Sequence, residues 1–273
     1  MADSSARDEP GCSPTTAPRF ARYVAIGDSS TEGIDDPDGA GGYRGWADRL
    51  AETVAAAQGS LLYANLAVRG RRTREIRAQQ LAPALALRPD LATLFAGTND
   101  LVARDFDAAA VAADVGAMQR ALVDAGAVVL TFTLPDLAAV MPMARRLATK
   151  LADLNARLRA VAAASGARLV DFAAHPVAGD PRLWSGDRFH ANAAGHARIA
   201  AALAEALELP GSDGAWRAPL PPLAPVTRIG RALGEIEWSR RHLLPWLWRH
   251  ARGRSSGDGR RPKRPRLLPV ASR

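Results

Sequence analysis

Cysteine is almost missing from this chain: Cys12 is the single one in 273 residues, so no intrachain disulfide can close and no cysteine zinc site can assemble. Aromatic residues are scarce too, at 5%, while alanine recurs in runs such as Ala108-Ala109-Ala110 and Ala162-Ala163-Ala164. That balance argues against an all-β sandwich and for close-packed helices on a sheet. No stretch reaches the ~18 apolar residues of a membrane span, and residues 1–10 mix Asp3, Arg7, Asp8 and Glu9 without the apolar run of a secretory signal. A soluble cytoplasmic protein is therefore the expectation. Also missing are a G-x-S-x-G elbow, a Walker phosphate loop, a G-x-G-x-x-G after a strand and an H-E-x-x-H pair. Neither a metal nor a cofactor is expected.

What is present is a chain with 48% hydrophobic and 23% charged residues, enough for one ordinary globular domain and something more. Its net charge of +8 is unevenly placed. Residues 210–273 carry 14 Lys+Arg against 4 Asp+Glu, which leaves 22 against 24 for residues 1–209. The excess belongs to the C-terminal extension, and its location decides what partner it would suit.

Between residues 22 and 209, short apolar or β-branched runs at 23–26, 61–66, 91–95, 128–132 and 168–171 alternate with helical periodicity at 45–57, 74–87, 108–124, 141–164 and 193–207. The runs are too apolar for a sheet with one wet face, so helices must cover both sides. The pattern predicts an α/β fold, a three-layer α/β/α sandwich with a five-stranded parallel, flavodoxin-like sheet. Ligand sites are expected at the carboxyl ends of the strands. The ends of the chain differ: residues 1–20 read as a disordered tail, 21–209 as the main domain, 210–225 as a Pro-rich linker and 226–273 as a basic amphipathic extension.

Four segments at strand ends carry candidate chemistry. The first strand runs into Gly27-Asp28-Ser29-Ser30, where a glycine permits a tight turn and a serine opens the next element, either to attack or simply to cap a helix. Asp187-Arg188-Phe189-His190 sets a carboxylate three residues before an imidazole, near enough to bond Nδ1 and leave Nε2 free, though such a pair is also an ordinary loop feature. Gly97-Thr98-Asn99-Asp100 delivers an amide to the sheet edge or makes a plain turn. The second strand leads through Asn65 to Gly70, whose bare N–H can approach a ligand.

In order, these segments resemble the blocks of the SGNH/GDSL hydrolases, over about residues 20 to 209. The resemblance implies a serine triad of Ser29, His190 and Asp187, with an oxyanion hole from the Ser29 N–H, Gly70 and Asn99. Where the family name has leucine after the serine, this chain has Ser30. The activity implied is hydrolysis of acyl or acetyl esters, of lysophospholipid, lipid or acetylated-sugar type, through an acyl-enzyme. An acyltransferase on the same scaffold, or a binding module with an idle triad, are the alternatives. Arg69, Arg71 and Arg72 flank Gly70 and would suit an acidic ester, or stand as surface arginines.

The extension offers Ile229, Leu233, Ile236, Leu243 and Leu247 at helical spacing, with Trp238, Trp246 and Trp248 among arginines, and Pro245 opening a separate short helix. Docking of that stripe on the catalytic domain is expected, with a mobile basic tail from Gly253 onward. Peripheral contact with anionic membrane is the next reading; no nucleic-acid motif supports a third.

Overall fold

The computed structural model describes residues 20–222, 234–245, 248 and 255–270. Cys12, and Ile229, Leu233, Trp246 and Leu247 of the expected stripe, lie outside the described residues. Strand β1 (Arg22–Gly27) shows why the elements form where they do. Its Tyr23, Val24, Ala25 and Ile26 are fully buried, as a strand covered by helices on both faces requires. The chain continues through α1 (Ser29–Glu32), α2 (Gly45–Gln58), β2 (Leu62–Asn65), α3 (Thr73–Ala86), β3 (Leu91–Phe95), α4 (Thr98–Leu101), α5 (Ala108–Asp124), β4 (Val128–Phe132), α6 (Ala148–Ser165), β5 (Arg168–Val170) and α7 (Ala193–Ala206).

These five strands pair in parallel in the order β5-β4-β3-β1-β2. Helices α2 and α7 pack together on one face, and α3, α5 and α6 on the other. Trp46 and Leu50 of α2, Met118 and Leu122 of α5 and Leu154 of α6 lose essentially all exposure against the sheet, each apolar burial stabilising the fold by about 2 kcal/mol. The winding reverses between β1 and β3, so the loops that follow those two strands part and leave a crevice at the carboxyl edge.

Four expectations need correction. The helix foreseen over 141–164 is divided: Pro142–Leu147 is a 3₁₀ turn with proline at its start and no buried residue, so nothing aligns it with α6. The segment 210–225 does not run free over its described part, because Gly214–Arg217 turns back, Trp216 enters the core, and its indole N–H bonds Glu205 at 2.6 Å. Helix 234–245 reaches Pro245 without a break before it, by way of a π turn at Ser239–Leu243, so Pro245 does not open a separate helix. The tail from Gly253 was expected to be mobile; instead a sixth strand, β6 (Arg264–Pro269), pairs antiparallel with β2.

That pairing has a plain cause. Without it β2 would be an open edge with unspent backbone donors and acceptors. β6 tolerates Pro265 and Pro269 because an edge strand needs only one side of its ladder. Lys263 pins the approach, donating to the carbonyls of Tyr43 and Arg44 at 2.8 Å each, and Arg264 lays its guanidinium over the Tyr63 ring. Among the described residues, no helix is long and apolar enough to cross a membrane.

Candidate active site

At the end of β1 the chain passes Phe95 and Thr31 so closely that a Cβ on Gly27 would stand 2.2 Å from Thr31 Oγ1 and 2.7 Å from the Phe95 carbonyl; only glycine fits. Asp28 then caps α1 by accepting from Ser30 N at 3.0 Å. The capping role that a lone serine invites is thus taken by its neighbour, and the Ser29 hydroxyl is left for other work.

The hydroxyl meets an imidazole. His190 Nε2 lies 2.8 Å from Ser29 Oγ, across 161 positions of sequence, and His190 Nδ1 lies 2.6 Å from Asp187 Oδ2. The loop between them is closed by a bridge from Trp184 to Ala191. The other oxygen of Asp187 accepts from Ser185 Oγ at 2.6 Å and from the N–H groups of Phe189 and His190 at 2.9 and 3.0 Å. A carboxylate at Nδ1 keeps the ring proton there, so Nε2 faces the serine as an acceptor.

The electrostatics follow the geometry. Burial raises Asp187, but the hydrogen bond and charge of His190 outweigh it and hold the carboxyl far below its ordinary range. Burial likewise lowers His190, while Asp187, then Asp35 and Asp28, outweigh it and carry the imidazole above 6.5. Asp28, wholly enclosed, is pushed up to about 7 by burial, against the opposing pull of the Ser30 N–H and His190.

The remaining segments converge as well. Asn99 sits in α4 with its amide nitrogen 3.0 Å from the Arg71 carbonyl and 3.2 Å from Asp28 Oδ2, which ties the loops after β1, β2 and β3 together. Thr73, opening α3, donates from both N and Oγ1 to Asp100 and locks the last two of those loops. Gly70 has φ +73, where glycine is favoured, and a Cβ there would crowd Ser255 Oγ at 2.4 Å and the Gly257 nitrogen at 3.2 Å. The main-chain N–H groups of Ser29 and Gly70 have no acceptor among the described residues, whereas both hydrogens of the Asn99 amide already have one.

The arginines around Gly70 do not offer a free basic patch. Arg69 pairs with Glu32, Arg71 with Glu75 and Arg72 with Asp105, so the reading of an acidic-ester clamp loses its charge. Among the described residues only Asp35, Asp187 and His190 bring three metal-ligand atoms together, and of these His190 is already bonded to Asp187 through one nitrogen and to Ser29 through the other.

Beside Ser29 and His190 opens an apolar cavity whose walls include Phe95, Phe132, Leu134, Leu147, Leu151 and Trp216. Phe95 and Phe132 stack at 4.5 Å, Phe132 meets Phe172 edge-on at 5.4 Å, and Phe172 meets Trp216 in the same way at 5.4 Å. Sequence reasoning did not single these residues out. A signal existed: in a chain so poor in aromatics, Phe95 and Phe132 are the last residues of β3 and β4, and Phe172 follows β5 closely. Ser185 and Asp35, the latter 3.9 Å from His190 Nδ1, were also missed, and no spacing marks either.

A profile of the GDSL-like Lipase/Acylhydrolase family matches residues 25–198. No curated protein matches the chain. Among solved structures, the lipase/acylhydrolase from Enterococcus faecalis is similar with a TM-score of 0.57 and 20% identity, over 71% of this chain and 100% of that one. The psychrotrophic esterase EstA from Pseudoalteromonas sp., inhibited by monoethylphosphonate, is similar at 0.54 and 16%, over 68% and 96%. The acetyl xylan esterase AlAXEase is similar at 0.57 and 19%, over 68% and 98%. At such identities the likeness is one of fold.

Proposed function

The chain belongs to the GDSL-like lipase/acylhydrolase family and is a hydrolase, and from that premise we propose that it cleaves carboxylic esters through an acyl-enzyme on Ser29. The observation that carries this reading is the unbroken line from Ser29 Oγ through His190 to Asp187, at 2.8 and 2.6 Å. His190 Nε2 takes the Ser29 proton as the oxygen attacks the ester carbon, and returns it to the departing alcohol. Water then repeats the sequence, giving its proton to His190 and releasing the acid. Asp187 holds the ring and balances the imidazolium that forms. The N–H groups of Ser29 and Gly70 meet the charge on the carbonyl oxygen, and Asn99 joins them by exchanging its bond to Asp28 or Arg71 for one to substrate.

The apolar walls of the cavity favour an ester with a hydrophobic acyl arm over an acetyl group on a polar sugar. A panel of p-nitrophenyl esters of increasing acyl length tests this directly: activity should rise from acetyl toward medium chains. A fluorophosphonate probe should label Ser29 alone, and Ser29→Ala should abolish both labelling and turnover while the fold persists. Labelling at another serine, or near-normal turnover by the variant, overturns the reading.

One observation favours a second role for the extension. On helix 234–245, Ile236 and Leu244 are exposed, as is Trp248 beyond it; Arg240 stands among them exposed, and Arg241 does so while paired with Glu237. This outward face suits the surface of an anionic membrane, where each basic residue adds about 1 kcal/mol. Salt-sensitive binding to phosphatidylserine vesicles, lost on Ile236→Ser with Leu244→Ser, is the expected result.

A further inference from the structure

The loop that carries Asp187 and His190 is held from outside. Arg188, next to the carboxylate, has φ +62, in the left-handed region that a side chain disfavours. Its guanidinium leaves the loop and meets helix 234–245: Nη1 donates to both oxygens of Glu235 at 2.7 and 2.9 Å, and the ring of Trp238 lies 4.8 Å from its central carbon. Trp238 is itself buried, and its indole N–H donates to the main-chain carbonyl of Asp187 at 3.2 Å. Farther along, a Cβ on Gly186 would stand 3.9 Å from His242 Nε2, so the same helix runs past the start of the loop as well. Residues about 50 positions downstream thus grip the two consecutive residues on which the Asp187 carboxylate depends.

We propose that the C-terminal helix is part of the active site, with Glu235 and Trp238 as positioning residues that hold Arg188 left-handed and so set the Asp187 carboxylate against His190 Nδ1. This rests on the serine-hydrolase reading above. Geometry gives the reason: the Asp187 carbonyl and the Arg188 backbone form one peptide plane, and relaxing φ at Arg188 swings that plane relative to Phe189 and His190, whose N–H groups are both bonded to the carboxylate. A glycine at 188 would adopt the same conformation unaided. The groups that face His190 are Asp187, Asp35 and Asp28, with Glu235 and His242 reaching its loop from the helix.

The experiment uses the full chain and its Trp238→Ala, Trp238→Phe, Glu235→Gln, Arg188→Gly and Arg188→Gly/Trp238→Ala variants, assayed on a p-nitrophenyl ester. Trp238→Ala should lower kcat by about ten- to a hundredfold at nearly constant KM. It should also move the acidic limb of the profile to lower pH, because His190 loses part of the Asp187 contact that holds its proton. Trp238→Phe and Glu235→Gln should do the same to a smaller extent, and they carry the test should Trp238→Ala fail to fold. The decisive result is rescue: the double variant should regain most of the activity that Trp238→Ala loses. Independently of turnover, the far-downfield proton resonance of the His190–Asp187 hydrogen bond should be visible in the wild type and shifted or lost in Trp238→Ala. Wild-type kcat, pH profile and proton resonance in the Trp238 and Glu235 variants would overturn the proposal, as would a double variant no better than Trp238→Ala. A wild-type chain with that resonance but no esterase activity and no Ser29 labelling would instead defeat the proposed function.

Discussion

His190 and His196 stand six residues apart, at the two ends of a short loop and helix start, and the protein treats them in opposite ways. Around His190, burial is outweighed by carboxylates, and the ring is carried above its ordinary value. Around His196, which is fully buried, burial prevails and pushes the imidazole down to about 4. His196 Nδ1 accepts from the N–H of Trp46, an otherwise unpaired donor in the first turn of α2, and Nε2–H donates to the Ile34 carbonyl. One region therefore keeps a proton within reach of a nucleophile, and the other uses the same side chain as a neutral staple between α7, α2 and the loop after α1. The lesson is that a histidine's role is set by what its second nitrogen meets, a carboxylate or a backbone group.

The comparison breaks most visibly if each ring is removed. His190→Ala should lower kcat on the order of 10⁶-fold with a melting temperature near that of the wild type, since its loop is half-exposed and its bonds serve the serine. If thermal denaturation showed a large loss and turnover a small one, the roles of the two regions would be reversed. Next in size is Asn99→Ala, expected to lower kcat by about 10²–10³-fold, or ~3 kcal/mol of barrier, with little change in KM.

The third test is pH. A histidine whose folded value falls from 6.5 to about 4 favours the native state while neutral, and that contribution is lost as pH drops through the interval between them, about 3 kcal/mol in all. His190 has the opposite sign: raised in the fold, it stabilises below pH 6.5 and its contribution fades as pH rises through its folded value. Asp28, raised to about 7, and His190 both favour the native state more as pH falls from 7 to 4 and so oppose His196. The His196 contribution should therefore appear as the difference in urea-unfolding stability between the wild type and His196→Gln, shifting against the wild type toward acid. The acid limb of kcat/KM should lie above pH 6.5, because His190 works only when neutral. The smallest effect sharpens the contrast: His196→Gln keeps a polar group in place, should cost about 1–2 kcal/mol at pH 7, and should lose the acid-destabilising component that His196 contributes, while leaving the acid limb of activity where it was. An unchanged stability slope in that variant would show that other groups carry it.

How far these roles were legible differs from residue to residue. The five parallel strands could be read because a strand buried on both faces must be apolar almost throughout, and the runs at 23–26, 91–95 and 128–132 are, with Thr93 and Thr131 the only polar side chains in the last two. Ser29, His190, Asp187, Gly70 and Asn99 were nameable because a resemblance placed them in order along the chain, and the structure brings them to one edge of the sheet. Arg188 was quoted within its motif without any hint of its left-handed backbone, since nothing in an arginine announces positive φ. The extension was misjudged over 255–270 for a related reason: a Pro- and Arg-rich segment has no periodicity, and only the open edge of β2 shows why it should become a strand.

The sequence by itself determined the layers, the strand order's carboxyl-edge crevice and the chemical types gathered there, because apolar periodicity and turn residues act over a few positions at a time. Only the tertiary structure decided which histidine is basic, that Asp28 rather than Ser29 caps the helix, what apolar walls stand beside the nucleophile, and that Trp238 and Glu235 reach back to the triad loop. Those outcomes depend on burial and on partners 47 to 161 positions apart, and both desolvation and hydrogen-bond geometry exist only once distant segments share the same few ångströms.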